Sequence, residues 1–427
     1  MTNSNRSTSL LGNAFVALVT FLLCIDFSKS NIITLSQIPV LSFVFHLLGN
    51  NRLLILTVAF FLISCLIKVP VINRNFASKI WITFGIASIS ILISGSINVS
   101  SGTIAYDILL MLVACCIISI RLTEYGQTAE NVILLWGYFE GILGIIQYFK
   151  RTTIFSPYYN GKPYLNTIFY LDGFSSNNPV YLSLGAQVRS FGTMDSGLSF
   201  GIFMLLCVAI VLARTTFSRF GKMVRLVFFF TAIFGTITRN VFIGMATLIL
   251  LWLFNDFFYK RKRILKTLYI VFLFIEMFTP WIGTIISFLG KLSTLLNIPT
   301  LLDRFSFLTT TLRQIRGLTD FLWGRQIVSS FQVPIDNVFV ASLLKNGAIF
   351  GLAFILMYYF AFSQLLWNVQ KKDLFKLDFL LILPLLGTFN NIYIATAMGT
   401  ALIMMSVPAP SSSDINAIHI PYSLVTY

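Results

Sequence analysis

The feature that most limits what this chain can become is a recurrence. Apolar runs of roughly membrane-span length follow one another along almost all of its 427 residues, separated by short polar breaks. A helix needs about 20 residues to cross a hydrocarbon core about 30 Å thick. Runs near 10–27, 34–49, 53–71, 80–97, 104–120, 132–149, 197–213, 226–237, 241–259, 267–289, 338–362, 377–389 and 392–407 meet or approach that length. Gln37 and Pro39 interrupt the second run, which makes it a candidate re-entrant segment. In lipid each backbone polar group must be satisfied within the protein, so such runs become helices. The expectation is an all-α polytopic membrane protein: one integral membrane domain over 1–427 with about twelve spans, and twelve to fourteen as the range. No repeat of twenty to fifty residues suggests a solenoid instead.

Composition points the same way. The chain is 57% hydrophobic and 11% charged, where a soluble protein carries roughly a quarter charged residues. The net charge of +15 is spread in short clusters between apolar runs. No basic stripe interleaved with stacking aromatics runs along a polar domain, which argues against nucleic acid. Cys24, Cys65, Cys115, Cys116 and Cys207 all fall inside apolar runs and read as small hydrophobes. With two histidines and no ligand spacing, neither a metal nor another cofactor is expected. The polar stretch Met1–Ser9 precedes the first run without a small-residue cleavage site after it, so an uncleaved first helix is expected.

The basic clusters set sidedness. Arg214, Arg219, Lys222 and Arg225 form one; Lys260 to Arg263 with Lys266 form a second; Lys371, Lys372 and Lys376 form a third. Short loops rich in Lys and Arg stay cytoplasmic, and the order of runs lets all three do so together. Residues 150–195 and 290–337 then lie outside, with the tight turn Thr238-Arg239-Asn240. These two loops are the only long hydrophilic stretches, and function concentrates on such loops.

The first outer loop mixes Lys150, Arg151, Lys162 and Arg189 with Tyr158, Tyr159, Tyr164, Tyr170 and Tyr181. Tyrosine and Asn/Ser side chains suit sugar faces and hydroxyls, while arginine suits phosphate. An interfacial aromatic belt with a few solvated charges fits the same residues. In the second loop Arg313, Arg316 and Asp320 fall on one helical face, and Leu308, Leu312, Ile315 and Leu322 on the other. This pattern predicts an amphipathic helix on the membrane surface, offering cations to an anionic headgroup or serving only as an anchor.

Single charges stand out against this background. Arg239 separates two apolar runs on the side where basic residues are disfavoured, and a charge there is expensive unless paired or functional. Glu140 and Glu276 are further charges inside runs, either of which suits an arginine partner. Asp336-Asn337 stands where the second loop meets the next run, placed to accept a proton from a hydroxyl or to cap a helix. The chain has no P-loop and no Gly-x-Gly-x-x-Gly after a strand, which argues against a nucleotide-sugar fold.

Taken in order, four motifs resemble the O-antigen polymerase and ligase superfamily. RSFGTMDSGLSFGIFMLL (189–206) is similar to its Arg-x-x-Gly opening, and ITRNVFIGMATLILL (237–251) to its Ser-Arg-Gly-type turn before an apolar helix. LWGRQ (322–326) sits where the family has Leu-x-Gly-x-Gly. DNVFVASLLKNGAIFGLAF (336–354) resembles its His/Asp-Asn-x-aromatic stretch with paired glycines, here Gly347 and Gly351. The likeness covers about Glu140 to Leu356. Asp336 stands where the ligases usually carry His, which tilts the resemblance toward a polymerase. Asn240 and Val241 replace small residues that usually follow the arginine.

The resemblance implies a metal-independent membrane glycosyltransferase of the bacterial inner membrane, needing no cofactor. Its substrates would be oligosaccharide repeats on a polyprenyl pyrophosphate, joined into O-antigen, capsule or exopolysaccharide. A flippase and a chain-length regulator would be its partners. Arg189 and Arg239 would hold the donor pyrophosphate, assisted by Arg304, Arg313, Arg316 or Arg325, since preorganised cations stabilise a leaving pyrophosphate. Asp336 would act as base, with Glu140 as a second candidate. Asn337, Tyr164 and Tyr170 would contact substrate. A ligase and a lipid-linked oligosaccharide flippase remain the competing readings.

Overall fold

A computed structural model describes residues 3–28, 30–39, 42, 74–98, 101–119, 125–151, 154–155, 158–159, 162–163, 189–282, 310, 312–313, 315–324, 337–388 and 390–407. The described chain is almost entirely helical. Its helices are α1 Asn3–Ile25, α2 Ser30–Leu35, α3 Arg74–Asn98, α4 Ser101–Ser119, α5 Gly126–Lys150, α6 Gly197–Ala213 and α7 Arg219–Gly235. They continue with α8 Arg239–Leu253, α9 Asn255–Lys260, α10 Lys262–Ile282, α11 Leu318–Trp323, α12 Val338–Asn368, α13 Leu374–Gly387 and α14 Tyr393–Ser406. The first outer loop contributes one small hairpin, Tyr158–Tyr159 paired antiparallel with Lys162–Pro163. The sequence between these strands is Asn160-Gly161, the dipeptide that favours two-residue hairpin turns.

Among the described residues three helical segments are long and apolar enough to cross a membrane: Phe76–Gly95, Gly126–Lys150 and Val338–Trp367. Shorter apolar helices coincide with five other runs. Most of runs 34–49 and 53–71, and residues 283–289, lie outside the described residues. Two boundaries differ from the sequence reading. The run 241–259 is divided, α8 stopping at Leu253 and α9 starting at Asn255. Thr238-Arg239-Asn240 is not a turn by itself: the turn spans Gly235 to Thr238, and Arg239 is already the first residue of α8.

The helices sort polar and apolar groups in the reverse of a soluble protein. On α3 the exposed Ile82, Ile86, Ile89 and Leu92 recur at helical spacing, and on α5 Leu135, Ile142, Ile146 and Phe149 do so. The buried sides carry Asp107, Glu140, Gln147, Ser90, Ser94 and Asn346. Apolar surface outside and hydrogen-bonded polar groups inside is the arrangement lipid selects. Small residues permit the close approach of the inner helices. A Cβ on Gly137, Gly141 or Gly144 of α5 would strike Cys207, Phe228 or Phe200 from α6 and α7.

Long-range contacts give the bundle two chemically distinct ends. At one end Glu130, near the start of α5, accepts from Lys376 Nζ at 2.6 Å and pairs with Arg214 Nε at 3.1 Å. Lys376 also meets Asp373 at 2.7 Å and donates to the Ser406 carbonyl at 2.9 Å. Lys371 pairs with Asp256 at 2.7 Å, and Lys262 donates to the Val369 carbonyl at 3.3 Å. All three basic clusters therefore meet at one end, as their common sidedness requires. Near the start of α1, Asn13 accepts from Thr128 of α5, so α1 also begins there. The opposite end gathers the last turns of α5, α7, α10 and α13 with the first turns of α6, α8 and α12.

Candidate functional site

That opposite end is organised around the loop Arg189–Ser196, which enters α6. Glu140 and Gln147 are seven residues apart, on one face of α5, and both are fully buried. Gln147 Oε1 accepts the backbone N–H groups of Phe191 at 3.1 Å and Gly192 at 2.8 Å, while its Nε2 donates to Gly192 O at 2.7 Å. Glu140 Oε2 accepts Thr193 N–H at 2.8 Å, and its Oε1 accepts the Thr193 hydroxyl. Thr34, at the end of α2, donates to the Thr193 carbonyl at 3.1 Å. Ser28 Oγ accepts Asp195 N–H at 2.9 Å and lies 3.0 Å from Asp195 Oδ1. Ser196 caps α6 by accepting Ser199 N–H at 3.2 Å.

The glycine of the Arg-x-x-Gly motif has a physical cause in this loop. Gly192 has φ +58, and a Cβ there would collide with the Glu140 carboxylate. Left-handed backbone is costly for residues other than glycine.

The turn before α8 is tied to the same loop. Ser190 N–H donates to Gly235 O at 2.7 Å, and Ser190 Oγ donates to Gly144 O at 2.8 Å. A Cβ on Gly235 would strike the Ser190 hydroxyl. Ile237 takes φ +47, an uncommon value for a β-branched residue. Thr236 Oγ1 donates to Ile233 O at 2.7 Å and accepts Thr238 N–H at 3.3 Å. Arg189 and Arg239 thus flank one welded junction, with Arg189 half-buried and Arg239 exposed at the start of α8.

The second outer loop reaches the bundle through two contacts. Asn337 is fully buried and caps α12, its Oδ1 accepting Val340 N–H at 2.8 Å. Its Nδ2 donates to Glu276 O at 3.0 Å and to Thr388 O at 2.9 Å, joining α10, α12 and α13. All the donors and acceptors of this side chain are engaged within the fold, so the expected substrate contact at Asn337 gives way to a supporting role. The amphipathic helix expected across 308–322 is not continuous. Ile315 to Gly317 are non-helical and only Leu318–Trp323 closes into α11, because Asp320 Oδ2 turns back to accept Arg316 N–H at 3.1 Å. Its apolar side nevertheless faces the bundle, Leu312 and Ile315 packing on Val340, Ala341 and Leu344. Arg313 and Arg316 are exposed.

α12 carries a break. Gly347 has φ 86 and ψ 170, and a Cβ there would strike the backbone of Leu322 and Trp323 at the end of α11. Gly324 faces it, close to the backbone of Lys345 to Gly347. The break frees helix carbonyls, which α3 satisfies: Ser94 donates to Lys345 O at 2.6 Å and Ser90 to Asn346 O at 2.8 Å. Beside the break is a polar cavity of about 240 Å³, lined from α4, α6, α12, α14 and the end of α1. Lys345 and Asp107 form an ion pair on its wall, and Asp195 of the Arg189–Ser196 loop lines it as well.

The structure brings Arg189, Arg239 and Glu140 to one end and assigns Glu140 a structural task. Neither Glu140 nor Glu276 has an arginine partner among the described residues; Glu276 is buried against Gly387. Asp336, Arg304, Arg325, Tyr164 and Tyr170 lie outside the described residues. Gln147, Asp195, Asp107 and Lys345 were not singled out from sequence. The last two obey the rule that marked Glu140, being lone charges inside apolar runs. No protein-family model, no curated protein and no solved structure matches this chain.

Proposed function

We propose that the chain is a multi-pass glycosyltransferase of the bacterial inner membrane, with about twelve spans. It polymerises oligosaccharide repeats carried on polyprenyl pyrophosphate into a surface polysaccharide, working at the outer face. The observation that carries this reading is the junction of Ser190 with Gly235, which joins two motifs that separately resemble the polymerase core. Arg189 and Arg239 stand on either side of it, at the end away from the basic clusters. Two arginines on a rigid frame suit a pyrophosphate leaving group.

In the reaction the acceptor hydroxyl oxygen bonds to the anomeric carbon of the donor chain. The bond from that carbon to pyrophosphate breaks, and polyprenyl pyrophosphate leaves with the electron pair, met by Arg189 and Arg239. Asp336 takes the hydroxyl proton. Glu140, with both oxygens on Thr193, holds the loop that presents Arg189.

A gene deletion tests the class. Loss of a polymerase leaves single repeats on the outward-facing carrier or surface acceptor; loss of a ligase leaves long chains on the carrier. Loss of a flippase traps single repeats on the cytoplasmic face. The flippase reading draws on one specific observation, the broken α12 beside a polar cavity, a feature transporters use. Arg239→Ala and Asp336→Ala test the site, each expected to lower polymer output roughly a hundredfold. Wild-type polymer length and amount in both variants would exclude the assignment.

A further inference from the structure

The cavity beside Gly347 has no part in the chemistry above, yet it is the most polar interior space near the Arg189–Ser196 loop. We propose that it is a subsite for one sugar ring of the lipid-linked substrate, with the Asp107–Lys345 pair reading the ring hydroxyls. The proposal rests on the transferase reading.

Three observations identify the class of ligand. First, the wall is amphipathic. Aromatic rings of Phe27, Tyr106, Phe350 and Tyr393 alternate with Asp107, Lys345 and other polar groups, and a sugar ring offers apolar C–H faces and a hydroxyl rim. Second, hydrogen-bonding capacity is left over. Asn346 is 1% exposed, and no partner for its Oδ1 occurs among the described residues. A buried acceptor without a donor is unfavourable, and a ligand hydroxyl would supply the donor. Third, the charge is wrong for phosphate. With Asp107, Asp195 and Lys345 ionised the wall carries two negative charges against one positive, so the pyrophosphate is left to the arginines. About 240 Å³ suits one ring rather than an oligosaccharide.

The fold does not need the polarity. A buried ion pair contributes little that apolar packing could not supply, and Ser90 and Ser94 satisfy the carbonyls freed at the break. The break instead sets Lys345 and Asn346 on the cavity wall, within the half of the bundle that contains Asp195.

The test is thermal unfolding of the full-length protein in detergent, followed by tryptophan fluorescence. The probes are glucose, galactose, mannose, N-acetylglucosamine and N-acetylgalactosamine, with inorganic pyrophosphate and glycine as separate arms. At least one sugar should raise the melting temperature saturably. The apparent affinity should fall about tenfold or more in D107N, as loss of a charged hydrogen bond implies. Because D107N also breaks an ion pair, Ala395→Leu serves as a second variant, narrowing the cavity from α14 without touching that pair. It should abolish the sugar response and leave any pyrophosphate response unchanged. Absence of a saturable response to every sugar overturns the subsite, as does a sugar response that survives Ala395→Leu. A glycine response that is lost in Ala395→Leu also overturns it, since a zwitterion would then be the ligand. None of these outcomes bears on the transferase reading, which stands or falls on the deletion phenotype and on Arg239→Ala.

Discussion

Glu140 and Thr193, 53 residues apart in the chain, are joined twice: the carboxylate accepts both the backbone N–H and the hydroxyl of Thr193. The same carboxylate occupies the space a side chain at Gly192 would need. One buried acid thereby fixes the conformation of the loop that begins at Arg189.

This geometry separates an anchoring role from a proton-transfer role. In Glu140→Gln the amide oxygen still accepts one hydrogen bond, and the Thr193 hydroxyl can turn to accept from the new NH₂. In Glu140→Ala two buried donors lose their partner, which destabilises by roughly 2–4 kcal/mol. Polymer output in a complemented deletion strain should therefore survive Glu140→Gln at near wild-type level and collapse in Glu140→Ala. An inactive but normally folded Glu140→Gln protein would return Glu140 to the role of base.

Gly192→Ala probes the same contact from the other side. Left-handed backbone costs a non-glycine residue about 1–2 kcal/mol, and the collision with the carboxylate adds to it. Unfolding of the purified protein should show a loss of at least about 2 kcal/mol. An unchanged melting temperature would mean that the loop is not packed as described.

Much of the fold was legible because lipid imposes one rule on every run: bury the backbone in helix. The grouping of the basic clusters was legible for a related reason, since topology sorts them and Glu130 then binds two of them. The interior polar pairs were not legible as pairs. Lone charges at Asp107, Glu140 and Lys345 can be marked in sequence, but their partners depend on helix rotation and depth, which apolar periodicity leaves undefined where both faces are hydrophobic. Glu140 illustrates this, since its partner is a threonine rather than an arginine. The break at Gly347 was hidden for the same reason: an interior glycine in an apolar run has several roles, and only the backbone of α11 pressed against it selects one.

The Asp107–Lys345 pair gives a thermodynamic prediction. Asp107 is buried, and Lys345 is partly exposed toward the cavity. Removing one partner strands the other, an effect of about 3–5 kcal/mol for fully buried pairs. The exposure of Lys345 lowers the expectation to roughly 2–3 kcal/mol for Asp107→Asn or Lys345→Met alone. The double variant should recover most of the loss, so a double-mutant cycle should show strong coupling. Additive losses would mean that the two charges do not interact.

The basic end offers a contrast between buried and exposed ion pairs, together with a test of sidedness. Lys376 is 1% exposed and meets Glu130, Asp373 and the Ser406 carbonyl, so Glu130→Ala should lower the melting temperature steeply. Lys371 and Asp256 are largely in solvent, and Asp256→Ala should leave the melting temperature unchanged. Lys371 holds the Asp256 carboxyl below the ordinary carboxylate range. A carboxyl lowered on folding contributes its small effect above its unfolded pKa and loses it as pH falls through the folded one. Any difference between Asp256→Ala and wild type is therefore confined to neutral pH and disappears in acid. Single cysteines at Thr216 and Lys372, both exposed at this end, should resist a membrane-impermeant maleimide in cells with a permeabilised outer membrane and an intact inner membrane. A cysteine at Ile154, exposed just beyond α5 at the other end, should react. Labelling of Thr216→Cys and Lys372→Cys with protection of Ile154→Cys would invert the bundle, moving Arg189 and Arg239 to the cytoplasmic face, where this polymerisation does not occur.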